Sequence, residues 1–327
     1  MSLTKVSILI AARNEEHNLP VLLASLAQLT YPKEHLEILI GNDASTDNTS
    51  KLIAEFAAFF GRVKIINLTE RKLDELLGKT RVLENLVRHA TGEYFFFTDA
   101  DIDLPKNWIE AMLSNFNENT GVVVGITSMK PKSFLTAMQG LEWLTAIHLM
   151  HLLSKIKIKS TGMGNNMAVR KEAYLATGGY AAIPFSIVED FALYKAIIDQ
   201  GYGFKQVFEP KVIAYTIPPE KFFEQRKRWL KGAFESGSPL LLPALLQACF
   251  LPIFIILGFW QIKIATLIFV FFLLFHVLNT AFMERKLKIT GYLAFSSIFV
   301  FYLPIAWLMQ LVNYFLKKKV VWKNRSY

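Results

Sequence analysis

The chain has 327 residues, 53% of them apolar and 19% charged, with one cysteine and a formal charge of +9, and its mean hydropathy is +0.31. That balance is too apolar for an ordinary soluble domain and too poor in charge for a disordered chain. Residues 1–237 carry 27 basic against 26 acidic side chains and residues 238–327 carry nine against one, so the excess charge belongs to an apolar C-terminal segment and a uniformly basic nucleic-acid-binding protein is excluded.

The lone Cys249 excludes an intrachain disulfide framework and a cysteine-based zinc site. The first apolar run, Val6 to Ala12, is short and is followed at once by Arg13, Glu15 and Glu16. It therefore reads as no signal peptide, and the first domain is expected in the cytosol. Strand-length apolar runs then alternate with helix-length segments. Strands are predicted over Val6 to Ala11, Leu36 to Ile40, Val63 to Ile66 and Tyr94 to Thr98. Helices are predicted over Leu19 to Leu29, Thr49 to Phe60 and Lys79 to His89. The alternation implies βαβ units, a mainly parallel sheet and an α/β fold, with ligands beyond the carboxyl ends of the strands.

What stands at those ends is polar and acidic. Arg13-Asn14-Glu15-Glu16 follows the first strand, Asn42-Asp43-Ala44-Ser45-Thr46-Asp47 the second, and Asp99-Ala100-Asp101-Ile102-Asp103 the run Tyr94 to Thr98. There is no Walker lysine motif and no GxGxxG. Asp99 and Asp101, on a tight connection after a buried strand, suit a hard divalent cation such as Mg2+ or Mn2+, which prefers carboxylate and phosphate oxygens. The plainer alternative is a solvated acidic turn.

Further on, Phe134 to Leu153 is apolar apart from Glu142 and leads into Lys155, Lys157 and Lys159. It reads either as a helix lying on an anionic membrane surface or as a buried helix of the catalytic core. Beyond Gly237, three stretches approach the length of a bilayer-crossing helix: Leu240 to Trp260, Ile264 to Met283 and Ile289 to Leu316. Two basic clusters, one at Arg285, Lys286 and Lys288 and one at Lys317, Lys318, Lys319, Lys323 and Arg325, both call for the cytosolic side. Three full crossings cannot satisfy both. Either the first stretch, with Pro239, Pro243 and Pro252, is re-entrant or interfacial, or Pro304 splits the last into a hairpin, or the tail breaks the charge rule. Two to three spans are expected, in a multi-pass protein of the cell membrane with its catalytic domain, residues 1–237, in the cytosol.

Taken in order, these pieces resemble the family 2 glycosyltransferases with a GT-A nucleotide-sugar-binding fold, over about residues 4 to 232. The opening Ile8 to Glu16 is similar to the family's first strand and nucleotide-contacting turn, which implies donor contacts from Ala11, Arg13 and Glu15. Asp43 matches the aspartate that holds uracil, although the residue before it, commonly Asp in the family, is Asn42 here. Gly78-Lys79-Thr80 resembles a Gly-Lys pair that precedes the next helix. Asp99-Ala100-Asp101 resembles the DxD element, in which Asp99 faces the nucleotide and Asp101 the metal on the diphosphate. Gly162-Met163-Gly164-Asn165-Asn166 and Gly178-Gly179-Tyr180 resemble segments around the acceptor entrance. Glu189-Asp190 matches a Glu-Asp pair whose aspartate is the general base, and Gln225-Arg226-Lys227-Arg228-Trp229 fits the QxxRW pattern of cellulose, chitin and hyaluronan synthases and of ceramide glucosyltransferase.

The resemblance implies an inverting, metal-dependent transfer from a UDP-sugar to a lipid or lipid-linked glycan at the cytosolic membrane face. Asp190 is the expected base. Ala11, Arg13, Glu15, Asp43, Lys79, Asp99, Gln225, Arg228 and Trp229 are expected on the nucleotide sugar, Gly164, Asn165 and Glu189 on the acceptor side, and Asp101 with Asp99 on Mn2+ or Mg2+. Each has a plainer role beside it: Lys79 as a solvated residue at a helix start, Asp190 as a helix cap, Trp229 as an interfacial aromatic. The alternatives to single transfer are a processive polysaccharide synthase subunit, for which two or three apolar segments are few, and a non-catalytic membrane scaffold that retains the fold. A polyprenyl-phosphate sugar transferase is disfavoured because those relatives usually lack QxxRW.

Overall fold

The computed structural model describes residues 4–69, 76, 78–160, 162–219 and 221–316, together with the backbone of 321–322 and 325–326. The chain divides into two compact units, Met1–Thr127 with Ser154–Thr216, and Ser128–Leu153 with Ile217–Tyr327. The second unit thus takes up a segment from the middle of the chain, and the expected boundary at Gly237 falls inside it.

The elements run β1 (Val6–Ala12), α1 (Leu19–Ala27), β2 (Leu36–Asp43), α2 (Thr49–Phe60), β3 (Val63–Leu68), α3 (Gly78–His89) and β4 (Tyr94–Asp99), then α4 (Trp108–Leu113), β5 (Thr120–Val124), β6 (Ile126–Ser128) and α5 (Phe134–Lys155). After α5 come β7 (Met167–Arg170), α6 (Lys171–Ala176), α7 (Gly179–Ala182), α8 (Glu189–Asp199), β8 (Gly203–Gln206) and β9 (Ile213–Tyr215). The first seven match their predicted positions and types. Seven strands form one sheet in the order β3-β2-β1-β4-β7-β5-β8. It is parallel except at β7, which runs antiparallel to β4 and β5.

The near-continuous apolar runs of β1, β2 and β4 are buried on both faces, as central parallel strands require. Helix α3 lays Val82, Leu83 and Leu86 on that sheet, each worth roughly 1.5–3 kcal/mol of burial. Gly41 makes this approach possible, because a Cβ there would lie 2.3 Å from Val82 Cγ1. The register sets Ala11 level with Gly41 on one side and Asp99 on the other, so the loops after β1, β2 and β4 emerge side by side.

In the second unit, α5 is joined by α9 (Phe222–Ser236), α10 (Leu241–Trp260), α11 (Ile262–Leu287) and α12 (Ser296–Leu316). Three helical stretches, Leu241–Trp260, Ile262–Leu287 and Leu293–Leu316, are long and apolar enough to cross a membrane. Their outward faces are apolar, with Phe259, Trp260, Leu267 and Phe271 all at least 70% exposed, the pattern of helices that meet lipid. Helix α12 continues through Pro304 and α10 through Pro252, so Pro304 does not split the last stretch into a hairpin. A helix bends around proline when the freed carbonyl is otherwise accommodated. The tail's basic side chains lie outside the described residues.

Helix α5 is buried, as the second of its two sequence readings has it. It buries ten residues between Ala137 and Met150, and its side-chain partners lie in the second unit. His148 Nδ1 meets Asn279 Oδ1 of α11 at 2.8 Å, Glu142 meets Arg226 of α9, and Tyr292 donates its hydroxyl to Met129 O just before α5.

Candidate active site

The first two strand-end loops are laced together. Asn14 N–H donates to Ser45 Oγ at 3.1 Å, Glu15 N–H to Thr49 Oγ1 at 2.7 Å and Thr46 N–H to Asn14 Oδ1 at 2.9 Å. Asn14 and Ala44 both hold positive φ, 52° and 50°. Such a conformation suits Asn and costs Ala energy, so the surrounding loop contacts hold Ala44 and its neighbour Asp43 in place. Asp43 is 6% exposed and is clasped by two guanidinium groups. Arg13 Nη1 donates to its carbonyl at 2.8 Å and lies 3.4 Å from Oδ2, while Arg81 Nη1 lies 3.5 Å from Oδ1. Arg81 also donates twice to Thr69 O at 3.0 Å. Asn42, where the family commonly has Asp, accepts from Ser45 N–H at 3.2 Å and donates to Asn67 of β3 at 3.1 Å. It shapes the turn and leaves the carboxylate of Asp43 in position.

Lys79, in the first turn of α3, is not a solvated helix-start residue. Its side chain is 16% exposed and bridges Asp99 Oδ1 at 2.5 Å and Glu189 Oε1 at 3.1 Å. Burial alone favours the neutral amine, but Asp99, Glu189 and Asp190 outweigh it and hold the ammonium more firmly than usual. The lysine thereby joins the end of β4 to the start of α8. Asp101 accepts from Thr216 Oγ1 at 2.8 Å, and its loop is pinned by paired backbone bonds between Asp103 and Tyr215. Burial, then the negative charge of Asp99 and to a lesser degree Glu15, push the Asp101 carboxyl up to about 6 against the pull of Thr216. The charges of Asp99 and Glu15 thus both bear on Asp101 at the ends of β1 and β4.

Among the described residues no group of three or more His, Cys, Asp or Glu side chains forms a metal cage. The donor set present is one or two hard carboxylates, Asp101 and Asp99, at the end of β4. That set fits Mg2+ or Mn2+ shared with substrate phosphates and water, and does not fit a protein-enclosed ion.

Asp190 is the second residue of α8, and the helix cap itself is Val188. Its Oδ2 accepts Gly164 N–H at 2.7 Å and its Oδ1 accepts Phe191 N–H at 2.8 Å, so the capping reading holds only for the adjacent amide. Gly164 is needed for this contact, since a Cβ there would lie 2.9 Å from Asp190 Cβ. Burial first, then the charge of Glu189, raise the Asp190 carboxyl to about 6, while the Gly164 amide, Lys79 and the Phe191 amide pull the other way. Asn165 accepts from Thr127 Oγ1 at 3.0 Å. Beside it, fully buried Asn166 accepts from Trp108 Nε1 and donates to Ile126 O and Val212 O. The Gly178-Gly179-Tyr180 segment is braced by Tyr180 N–H donating to Tyr174 Oη, which donates to Glu84.

In the second unit, Gln225, Arg228 and Trp229 fall at helical positions i, i+3 and i+4 of α9 and share one flank. Between them, Arg226 is 3% exposed, pairs with Glu142 Oε2 at 2.7 Å and stacks over Trp229 at 4.5 Å and Phe222 at 5.0 Å. The Trp143 and Trp229 rings meet edge to face at 5.2 Å. Trp229 is therefore held by α5, which is more than the role of an interfacial aromatic requires.

Residues 7–188 match the sequence pattern described as glycosyl transferase family 2. The chain belongs to that family. It is 28% identical over 239 residues to the probable glycosyltransferase YdaM of Bacillus subtilis (strain 168), covering 70% of this chain and 55% of that protein. It is 28% identical over 236 residues to the poly-beta-1,6-N-acetyl-D-glucosamine synthase of Staphylococcus epidermidis, with the same coverages. It is 27% identical over 239 residues to the beta-monoglucosyldiacylglycerol synthase of Nostoc sp. (strain PCC 7120 / SAG 25.82 / UTEX 2576), covering 72% and 50%. The chain spans about half the length of these curated relatives. Among solved structures, the mannosyltransferase PcManGT of Pyrobaculum calidifontis, in complex with GDP-Man and Mn2+, aligns with a TM-score of 0.60 at 19% identity over 96% of this chain and 88% of that one, which shows the shared fold.

Sequence reading of this family 2 transferase did not single out Arg81, Thr216 or the Glu142–Arg226 pair. Arg81 left no signal, because it falls at i, i+4 and i+7 with Asn85 and Arg88 on the polar side of α3. Thr216 left none, because its contact spans 115 positions.

Proposed function

We propose that this protein transfers a sugar from a UDP-sugar to a lipid or lipid-linked glycan, with inversion, at the cytosolic face of a membrane. The observation that carries the reading is the pattern around Lys79. One ammonium holds Asp99, on the proposed donor side, and Glu189, next to the proposed base, while Asp101 and Asp190 take no part in its ion pairs.

In this reading Arg13 and Arg81 set the Asp43 carboxylate for the uracil. The acceptor hydroxyl gives its proton to Asp190 as its oxygen bonds to the anomeric carbon, and the bond from that carbon to the diphosphate breaks with its electron pair on the leaving oxygen. A base distinct from the leaving-group side favours a single displacement. A divalent cation held by Asp101 and Asp99 supplies positive charge to the leaving diphosphate when bound, and Arg228 is assigned a second contact of the same sign. Gln225 and Trp229 are assigned to the sugar, Ala11 and Glu15 to the nucleotide side, and Gly164, Asn165 and Glu189 to the acceptor side. The relatives' names support both a lipid and a glycan acceptor.

The test is nucleotide release by the purified chain in detergent, with a panel of UDP- and GDP-sugars, Mn2+ or Mg2+, and lipid present or absent. Lipid-dependent release from one UDP-sugar is expected, together with a single or short sugar addition on the product. Asp190→Asn should keep nucleotide binding and lose transfer. No release from any donor with any lipid would favour a non-catalytic scaffold, and long polymer would favour a processive synthase.

A further inference from the structure

Five consecutive residues, the last of α5 and the four beyond it, are exposed and alternate in character: Lys155, Ile156, Lys157, Ile158 and Lys159. Ile156 is 66% exposed and Ile158 40%, and Leu152, one turn earlier, is 47%. Two isoleucines side by side in water, outside any helix long enough to cross a membrane, forgo their burial for no packing in return. The backbone holds them outward, since Lys157 adopts a left-handed conformation with φ 60° and its N–H turns back to Ser154 O at 3.1 Å.

The lysines specify what covers them. Lys159 pairs with Asp199 at 2.7 Å, and Lys195 pairs with the same carboxylate, so that trio keeps one positive charge. Lys155 and Lys157 make no ion pair among the described residues, and Asp199 is the acidic partner that reaches the segment. A surface that buries aliphatic side chains while presenting negative charge to flanking lysines is complementary to this loop. A bilayer containing anionic lipid is such a surface, and the chain itself carries three helices of membrane-crossing length.

We propose that residues 155–159 form a docking loop for an anionic lipid surface, with Ile156 and Ile158 in the headgroup region and Lys155 and Lys157 on the lipid phosphates. The loop lies in the unit that contains Lys79, Asp99 and Asp190, so docking would make the attachment of that unit to the bilayer depend on lipid charge. Each lysine at such a surface contributes about fivefold to the docked population, and the pair roughly 25-fold. The inference does not depend on the substrate or on the transfer reaction.

The experiment uses the full chain reconstituted in vesicles, with Cys249→Ser removing the native thiol and Ile156→Cys carrying an environment-sensitive nitrobenzoxadiazole label. In vesicles containing phosphatidylglycerol the label's emission should shift to the blue and be quenched by lipids bearing a nitroxide near the headgroup. In phosphatidylcholine alone, or at high salt, both effects should weaken several-fold. Lys155→Gln with Lys157→Gln should reproduce that loss in the anionic vesicles. The same label at Ile158→Cys provides an independent reading if the first site is perturbed. A label that reports water in anionic vesicles at both positions would overturn the proposal. So would equal quenching in neutral and anionic vesicles, because burial would then owe nothing to the lysines.

Discussion

The acid limb of the pH–rate profile should follow Asp190, and two neighbours should move it in opposite directions. On the proposed assignment Asp190 is the base and must be a carboxylate to take a proton; its carboxyl is raised from 3.8 to about 6 by burial and then by Glu189. At saturating divalent metal, where Asp101 is held ionised, turnover should be near its plateau at pH 7. It should be about half at pH 6 and roughly a tenth at pH 5. Removing the adjacent negative charge with Glu189→Gln should lower the midpoint by about one unit. Removing the cation with Lys79→Met should raise it by about one unit, so the two variants differ by roughly two. Lys79→Met also releases Asp99, to which the ammonium lies 2.5 Å away; a weaker donor KM is therefore expected, and the midpoint must be read from kcat. The linkage has a definite sign. A carboxyl raised in the fold stabilises the protein below its unfolded value and loses that contribution as pH rises through about 6, so this group works against stability where it is most active. The assay is nucleotide release from pH 5 to 8. Coincident midpoints in wild type and both variants would refute the assignment of the limb to Asp190.

Asp101→Ala should abolish the metal-dependent part of nucleotide affinity, measured by calorimetry with Mn2+ and with chelator; equal affinity in both conditions would remove Asp101 from the metal. Gly164→Ala should leave nucleotide affinity within twofold yet cut kcat by at least tenfold, because its new Cβ would meet Asp190 Cβ at 2.9 Å and displace the base; unchanged kcat would show that the contact relaxes freely. Arg226→Met alone should cost about 3–5 kcal/mol by leaving Glu142 buried and unpaired, whereas Arg226→Met with Glu142→Leu should recover most of that loss. Thermal unfolding in detergent reads both variants, and a double variant no more stable than the single would mean that ring packing, rather than charge, holds α5 to α9.

The fold was legible where burial is two-sided. The apolar runs of β1, β2 and β4 permit no other placement, and the polar residues that end them are the ones the parallel register sets side by side. Helix α5 was not legible, because a long apolar segment with one acid reads the same whether its partner is lipid, a sheet or other helices. What decides its place is Glu142 meeting Arg226, a contact across 84 positions. Lys79 was found by its motif and misjudged by its locality: a lysine in a first helical turn normally faces water, and only the tertiary approach of Asp99 and Glu189 makes it a bridge. Positive φ at Ala44 had no signal, since alanine carries no preference for it.

The near neutrality of residues 1–237 has a structural meaning beyond composition. The acidic residues at the strand ends and at the start of α8 divide into two sets by their company. Asp43, Asp99 and Glu189 each have a cation within 3.5 Å, from Arg13 and Arg81 or from Lys79. Asp101 and Asp190 have none among the described residues and are held by a hydroxyl and by backbone amides instead. A carboxylate satisfied by an arginine has little left to offer a substrate proton or a metal. One satisfied by neutral donors, with like charges nearby, keeps an affinity for positive charge close to neutral pH, as both aspartates do at about 6. On the proposed assignment Asp101 and Asp190, the two without a cation partner among the described residues, take different positive partners, and Asp99 stands between the sets, paired with Lys79 and shared with the metal. Asp101, pushed by Asp99 and Glu15, is suited to a divalent cation, and Asp190, beside the chain's Gly164 amide, is suited to a proton.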